Sequence, residues 1–396
     1  MTGRFRRQRL LAILALALVC PRPALAQETM SDVLSLLFTN SSVQTGDFAR
    51  DEAAARATAD TLSRALLVDL ATLPVSSAGG GFAYRMNPTL GTFERVTDGF
   101  GPVFTERVLT VGRDQLSFGA SYRVTDFDRL DGRDLRSGTL VTTANRFVDE
   151  PTSFDVESLT LRVRASTLAV FANYGITERL DVGAVLPFVS LTITGERVDT
   201  YRGESVLQAA ASASTTGPAD LVVRAKYRLL GTSASGLSGG TELRLPTGSR
   251  DDLLGTGRTA VKVLLIGSLE GTRVASHANI GFLGGGVSEE LDYNVALTFA
   301  VTRRLTLVGE AIGRRIRNVG AIADLSLPHP SIVWVQTTRL VSEAGGSLHT
   351  AMAVVGLKVN LGSTWLLSAH AMLSVTDAGL RPAPSPMVSL EYSFFR

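Results

Sequence analysis

LTLRVRASTLAVFANYGITERLDVGAVLPF, residues 159–188, decides the fold. Leu159, Leu161, Val163, Ala165, Ala169 and Phe171 take alternate positions on its first arm, with Thr160, Arg162, Arg164 and Ser166 between them. Gly175-Ile176-Thr177-Glu178-Arg179 turns the chain, and Leu180, Val182, Ala184, Leu186 and Phe188 alternate again. Period two is the strand period, because successive side chains leave opposite faces of a pleated sheet. Each arm reaches the roughly 9–11 residues that a tilted strand needs to cross a bilayer. The stretch reads as a hairpin of a membrane barrel with Leu161, Val163 and Phe171 toward lipid and Arg162 and Arg164 toward the lumen. A soluble antiparallel hairpin would alternate in the same way, so the rest of the chain has to choose.

The N-terminus favours export. Arg4, Arg6, Arg7 and Arg9 precede an apolar run from Leu10 to Val19, and Ala24-Leu25-Ala26 offers a small-residue cleavage site. That order of basic, apolar and small residues is a secretory signal, expected to be cut after Ala26. Cys20, the alternative lipid-attachment residue, lacks the usual small residue before it. Cleavage would remove five of the 39 basic residues and none of the 37 acidic ones, turning a net charge of +2 into −3. No nucleic-acid partner is expected from such a chain. Cys20 is the only cysteine and would leave too, so neither disulfides nor thiol chemistry is expected.

The chain is 45% hydrophobic with a mean hydropathy of +0.19, yet past the signal it has no apolar run long enough for a helical span. Apolar residues dispersed at every second position reconcile the two, and the expected class is an all-β transmembrane antiparallel barrel. Three parts are expected: a signal at 1–26, a helical segment at 27–113 and a barrel at 114–396. Asp47 to Leu73 is rich in alanine, with Asp47 as N-cap, Pro74 beyond the end and a face of Leu62, Ala65, Leu66, Asp69 and Leu73. It reads either as a plug inside the barrel or as a periplasmic extension. Gly79-Gly80-Gly81 lacks the strand-then-helix setting of a phosphate loop.

From Gln115 onward twelve alternating segments follow, from Leu116–Val124 to Val388–Phe394. Their connections alternate between short (near 175–179, 231–239, 270–273, 302–304 and 361–364) and mostly longer (128–155, 197–217, 248–258, 284–289, 318–347 and 377–386). Short periplasmic turns and long outer loops are the asymmetry of outer-membrane barrels. Val103–Val111 and Ile332–Leu340 would make fourteen strands, but each alone would put a terminus or short turn on the wrong side, so twelve is preferred. Phe171, Tyr227, Trp365 and Phe394 fall beside the periplasmic boundary, where an aromatic girdle belongs. The closing VSLEYSF, residues 388–394, is the kind of final strand that barrel-assembly machinery reads, although Phe395-Arg396 extend past it.

GITERLDVGAVLPF (175–188), GPADLVVRAKYRLL (217–230) and ELRLPTGSRDDLLGTG (242–257) together resemble the family named for the meta-pathway of phenol degradation. The resemblance covers roughly residues 115–394. It implies an outer-membrane, transporter-like barrel associated with uptake of aromatic or other hydrophobic compounds, and it leaves the N-terminal segment outside.

The parity opposite the apolar one is basic. Arg123, Arg162, Arg164, Arg224, Lys226, Arg228, Arg244, Lys262, Arg314 and Lys358 face Glu242, Glu290, Asp292, Glu310 and Glu391. One reading is a lumen interlocked by cross-strand ion pairs. The other is an anion-attracting solute path through Arg162, Arg164, Arg224, Lys226, Arg228 and Arg244, with Arg224, Lys226 and Arg228 as three inward cations in a row. His277 and His370, with Ser368 near the latter, show no third catalytic partner, and no spacing fits a zinc or calcium site, so no enzyme, cofactor or metal is expected. The expected partners are membrane lipid, the assembly machinery and a small solute. The two functions carried forward are a passive channel and a non-transporting structural or interaction barrel; oligomeric state is unreadable.

Overall fold

A computed structural model describes residues 29–38, 48–71, 81–82, 84–87, 92–232, 235–329, 331–343 and 346–394. The export signal and its cleavage site lie outside them. Twelve antiparallel strands close on themselves. They are β1 (Leu116–Leu130), β2 (Asp155–Gly175), β3 (Leu180–Tyr201), β4 (Leu221–Gly231), β5 (Gly236–Leu245) and β6 (Ala260–Glu270), then β7 (Val274–Gly285), β8 (Glu289–Thr302), β9 (Leu305–Arg317), β10 (Ser347–Gly362), β11 (Trp365–Ser374) and β12 (Ser385–Phe394). Each pairs with the next, and β12 returns to β1 through Phe394 opposite Leu116. Closure leaves no open edge along the wall, which is what hydrocarbon demands of a spanning sheet.

The expected twelve segments are these twelve strands. The two extra segments take other roles. Val103–Val111 forms no strand and lies buried inside the barrel. Val335–Glu343 is a strand above the wall, pairing with Leu140–Phe147 and Ala321–Pro328. Glu204–Pro218 likewise continues the β3 hairpin. Four of the six long connections therefore carry strands of their own, which raise the β2–β3 side of the barrel into a tall outer rim.

The exterior is apolar. Val223, Tyr227, Val263, Ile280, Phe282, Tyr293, Val295, Leu297, Val355 and Leu390 all point outward and are exposed. Trp365, Tyr227 and Phe394 stand outward near the short-turn end, and Trp365 meets Tyr392 at 4.8 Å between ring centres. Phe171 does not join this girdle. It is 5% exposed, turned inward with Ala169, Val185 and Val222, and its ring covers Gly119 on β1. A Cβ at Gly119 would lie 2.7 Å from that ring. The outward aromatic at this level is Tyr174.

The reversal holds for the whole first arm of the opening hairpin. Leu159, Leu161, Val163 and Ala165 are buried inside, while Arg162 and Arg164 are exposed outside. Both parities of this arm are apolar in its membrane half, where Leu168 and Val170 are the true lipid-facing residues. The odd positions are apolar for a different reason: they meet two helices lodged within the rim. On the second arm Leu180, Val182, Ala184, Leu186 and Phe188 take the outward parity as expected, with Asp181 and Val185 buried inward. With Cys20 in the expected signal, single cysteines make a clean test. Arg162→Cys should react with a membrane-impermeant maleimide on intact cells, and Leu161→Cys should not.

The helices are α1 (Met30–Phe38) and α2 (Phe48–Ala71). In α1 the pattern Met30, Val33, Leu34, Leu37, Phe38 is one buried helical stripe. Thr29 and Asp32 cap it reciprocally, and the hydrogen bonds from Thr29 hold the Asp32 carboxyl below its ordinary range. In α2, Ala59, Leu62, Ala65 and Leu66 pack into the same core. That core includes Phe127, Leu140, Leu159, Leu161, Leu191 and Ile193 of the wall and rim. The Ser31 N–H bonds to the Asp251 carbonyl in a long loop, which places the helices at the long-loop end.

Candidate functional site: the occupied lumen

The bore is occupied by the chain's own residues 99–112. Gly99, Gly101 and Pro102 deny this stretch a regular ladder, so its backbone groups need other partners. The barrel's inward side chains supply them. Glu310 on β9 accepts the N–H groups of Val103, Phe104 and Thr105 at 2.5, 3.1 and 2.8 Å, and the Thr105 hydroxyl at 2.9 Å. Lys358 on β10 donates to the Pro102 carbonyl at 2.9 Å, and the Thr306 hydroxyl accepts from the Phe100 N–H at 3.0 Å. Further round the wall, Ser268 accepts from the Val108 N–H at 2.9 Å and Ser238 donates to its carbonyl at 3.2 Å. Lys226 donates to the carbonyls of Arg107 and Leu109, and Asp181 accepts the Val111 N–H at 2.9 Å. The Asn279 amide, oriented to suit, bonds both the N–H and the carbonyl of Glu106.

Apolar contacts complete the seat. Val103 and Phe104 pack with Ile312, Met352, Val354, Met372 and Met387, and Val108 packs on Leu264 and Ile266. Phe100 and Phe82 meet edge to face at 5.0 Å beside Leu366, with the Arg95 guanidinium 4.2 Å from the Phe100 ring. A two-stranded hairpin, Tyr84–Asn87 with Thr92–Arg95, sits at the short-turn end. There Arg85 pairs with Glu178 in the β2–β3 turn, and Arg95 donates to the Arg303 carbonyl. The described parts of the N-terminal segment thus stand at both ends of the barrel, the helices in the rim and this hairpin by the short turns, with residues 99–112 between them. Two cavities along the inner wall measure about 30 and 20 Å³, room for a few waters at most, and a wider one of about 340 Å³ lies beside Arg64 and Leu67 of α2.

The sequence-derived site residues divide between the two faces. Arg224, Lys226 and Arg244 are inward and buried, and Arg228 is half-buried near the short-turn end. Arg162 and Arg164 are outside. Arg224 and Lys226 meet Glu106 at 3.3 and 3.4 Å, so the acid that their own strand lacks comes from the N-terminal segment. Elsewhere the inward charges interlock: Lys262 with Asp292 at 2.5 Å, and Arg314 with Glu290 at 2.7 Å and Asp292 at 3.7 Å. Ser268 and His277 stand 2.9 Å apart, but the serine is committed to Val108.

Residues 137–316, from the outer rim to the end of β9, match the profile of the family described as MetA-pathway of phenol degradation. Over those residues the chain is similar to that family. The family's matched span stops short of the lumen segment, whose contacts with Glu310, Ser268 and Lys226 nevertheless fall on it. No curated protein matches the chain. Among solved structures it is similar to an outer membrane channel from Pseudomonas putida F1, with 14% identity over 72% of this chain and 98% of that one at a TM-score of 0.47. OprB of Pseudomonas putida gives 7% identity over 71% and 93% at 0.27. The translocator domain of the autotransporter NalP from Neisseria meningitidis gives 11% over 72% and 89% at 0.28.

Glu106, Glu310 and Lys358 carry the seat of the segment, and sequence reasoning missed that role. Glu310 and Lys358 register as lumenal charges, but nothing in strand periodicity says that a distant segment will use them. The available signal was Gly99-Phe100-Gly101-Pro102, which argues against a strand starting there.

Proposed function

We propose that the protein is an outer-membrane channel for small solutes, aromatic or hydrophobic ones among them, plugged by its N-terminal segment through residues 99–112. One observation carries the reading: a closed, lipid-faced barrel whose bore is filled by a segment held through polar side chains of the wall. Such contacts exchange with water as the segment leaves, whereas a permanently filled barrel would more simply use an apolar core. The name of the similar Pseudomonas putida channel agrees with this reading. On this reading the processed chain, cut after Ala26, lies in the outer membrane after folding by the assembly machinery through β12.

The test is planar-bilayer recording of the refolded chain with Glu106→Gln, which keeps the side chain's shape and removes its charge from Arg224 and Lys226. The native protein should be mostly closed, and the variant should open about tenfold more often, the loss of roughly 1.4 kcal/mol from the closed state. Silence in both would favour the structural barrel.

A further inference from the structure

Arg162 and Arg164 stand on the outside of the barrel, where the bore's solute cannot reach them. Both project from β2 beyond the lipid-facing row of Leu168, Val170 and Tyr174. Leu168 lies opposite Tyr122 on β1 and Phe188 on β3, all three exposed, and marks the upper edge of the apolar belt there. Four residues farther, at ~3.3 Å per residue and a tilt of ~45°, Arg164 stands ~9 Å above that edge. A headgroup layer is ~5–8 Å thick on each side of the hydrocarbon, so Arg164 reaches its outer part by bending its side chain back toward the membrane. Arg162, ~14 Å above the belt edge, stands just beyond it.

Their surroundings are hydroxyl-rich. Arg164 lies opposite Thr192, and Arg162 opposite Thr194, whose hydroxyl is 3.0 Å from that of Ser212. Ser166 and Ser190 face each other below, between the arginines and the belt. Two carboxylates share this face: Asp126 lies 3.7 Å from Arg164 and 3.9 Å from Arg136, both long contacts with exposed side chains, and Glu196, opposite Thr160, is exposed one outward position beyond Thr194. Arg162 makes no ion pair among the described residues. Guanidinium groups bind phosphate through paired hydrogen bonds, and neighbouring hydroxyls bond sugar or phosphate oxygens.

We infer that Arg162, Arg164 and Arg136, with the hydroxyl collar of β2 and β3, form a docking site for the phosphorylated glycolipid headgroup of the outer leaflet. The inference rests on the outer-membrane reading above and adds a specific lipid contact on one side of the barrel. Placement carries it: cations this close above an apolar belt, outward and flanked by hydroxyls, face lipid headgroups rather than solute in the bore.

The full-length protein in detergent micelles would be titrated with fluorescent lipid A bearing its phosphates, and with the same lipid dephosphorylated. Native protein should bind the phosphorylated form at least about tenfold more tightly, and Arg136→Gln/Arg162→Gln/Arg164→Gln should abolish that preference. Arg303→Gln, an exposed charge at the opposite end, should leave it intact. Equal binding of the two lipids, an unchanged triple variant, or full competition by millimolar inorganic phosphate would each overturn the proposal. Conductance recorded in neutral-lipid bilayers separates this from the channel reading. The triple variant should conduct as the native protein does, whichever way the lipid titration falls.

Discussion

Glu310→Ala should open the channel. This carboxylate is 5% exposed and holds three consecutive N–H groups of the lumen segment together with the Thr105 hydroxyl. Its loss leaves those donors facing a wall of Ile312, Val354 and Met352. A hydrogen bond to a charged group contributes ~1.5–3 kcal/mol, and water entering the bore recovers part of it. A net shift of ~3 kcal/mol toward the displaced state is expected, or ~10²-fold in the ratio of open to closed. The barrel ladder does not use this side chain, so the protein should still fold. Open probability in single-channel recording reads the effect. An unchanged closed state would mean that the segment is held by something other than these contacts.

Glu290→Ala should weaken the barrel itself. Arg314 and Glu290 are both 2% exposed, joined through Nε at 3.2 Å and Nη2 at 2.7 Å across β8 and β9. Removing one member of a buried pair leaves an uncompensated charge and costs ~3–5 kcal/mol. Asp292 at 3.7 Å softens this, which puts the expectation at the lower end. The urea midpoint of the refolded barrel should fall accordingly. Glu290→Leu combined with Arg314→Met should recover much of the loss, because an apolar pair carries no desolvation penalty. A midpoint that falls further in the double variant would contradict that account.

How much of this was legible follows from what strand periodicity measures. Alternation located twelve strands and their short turns, because a wall between lipid and a polar bore must alternate. It named the lipid side of β3 through β12 correctly, where charged or hydroxyl residues such as Asp181, Arg224, Ser268, Glu310 and Lys358 mark the inward parity. It failed on β2, where Leu161 and Val163 meet helix α1 and Arg162 and Arg164 have already cleared the belt. Two apolar faces give no phase, and the arginines then suggested the wrong one. Phe171 was misplaced with them. Its inward ring fills the space over Gly119, a pairing across strands that one strand's pattern cannot contain.

Helix α2 was visible from composition and its Leu62, Ala65, Leu66 face, whereas α1 is short and its stripe was not recognised. The lumen segment was the hardest to see. Val103–Val111 carries enough apolar residues to pass for a strand, and its partners lie between about 70 and 256 residues away in sequence. Arg224 and Lys226 looked like a cationic path because their neutralising acid, Glu106, sits in a part of the chain that had been assigned elsewhere.

Cross-linking tests the seated segment most directly. Val108 bonds to the Ser268 hydroxyl through its N–H and packs against Leu264 and Ile266 of the same strand, β6. Val108→Cys with Ser268→Cys, in a chain whose one other cysteine, Cys20, is replaced by serine, should therefore form a disulfide under mild oxidation in outer-membrane preparations. The oxidised protein should be silent in planar bilayers and regain its gating when reductant is added. Two free thiols that remain unlinked and react readily with small maleimides would place residues 99–112 outside the bore and contradict the account.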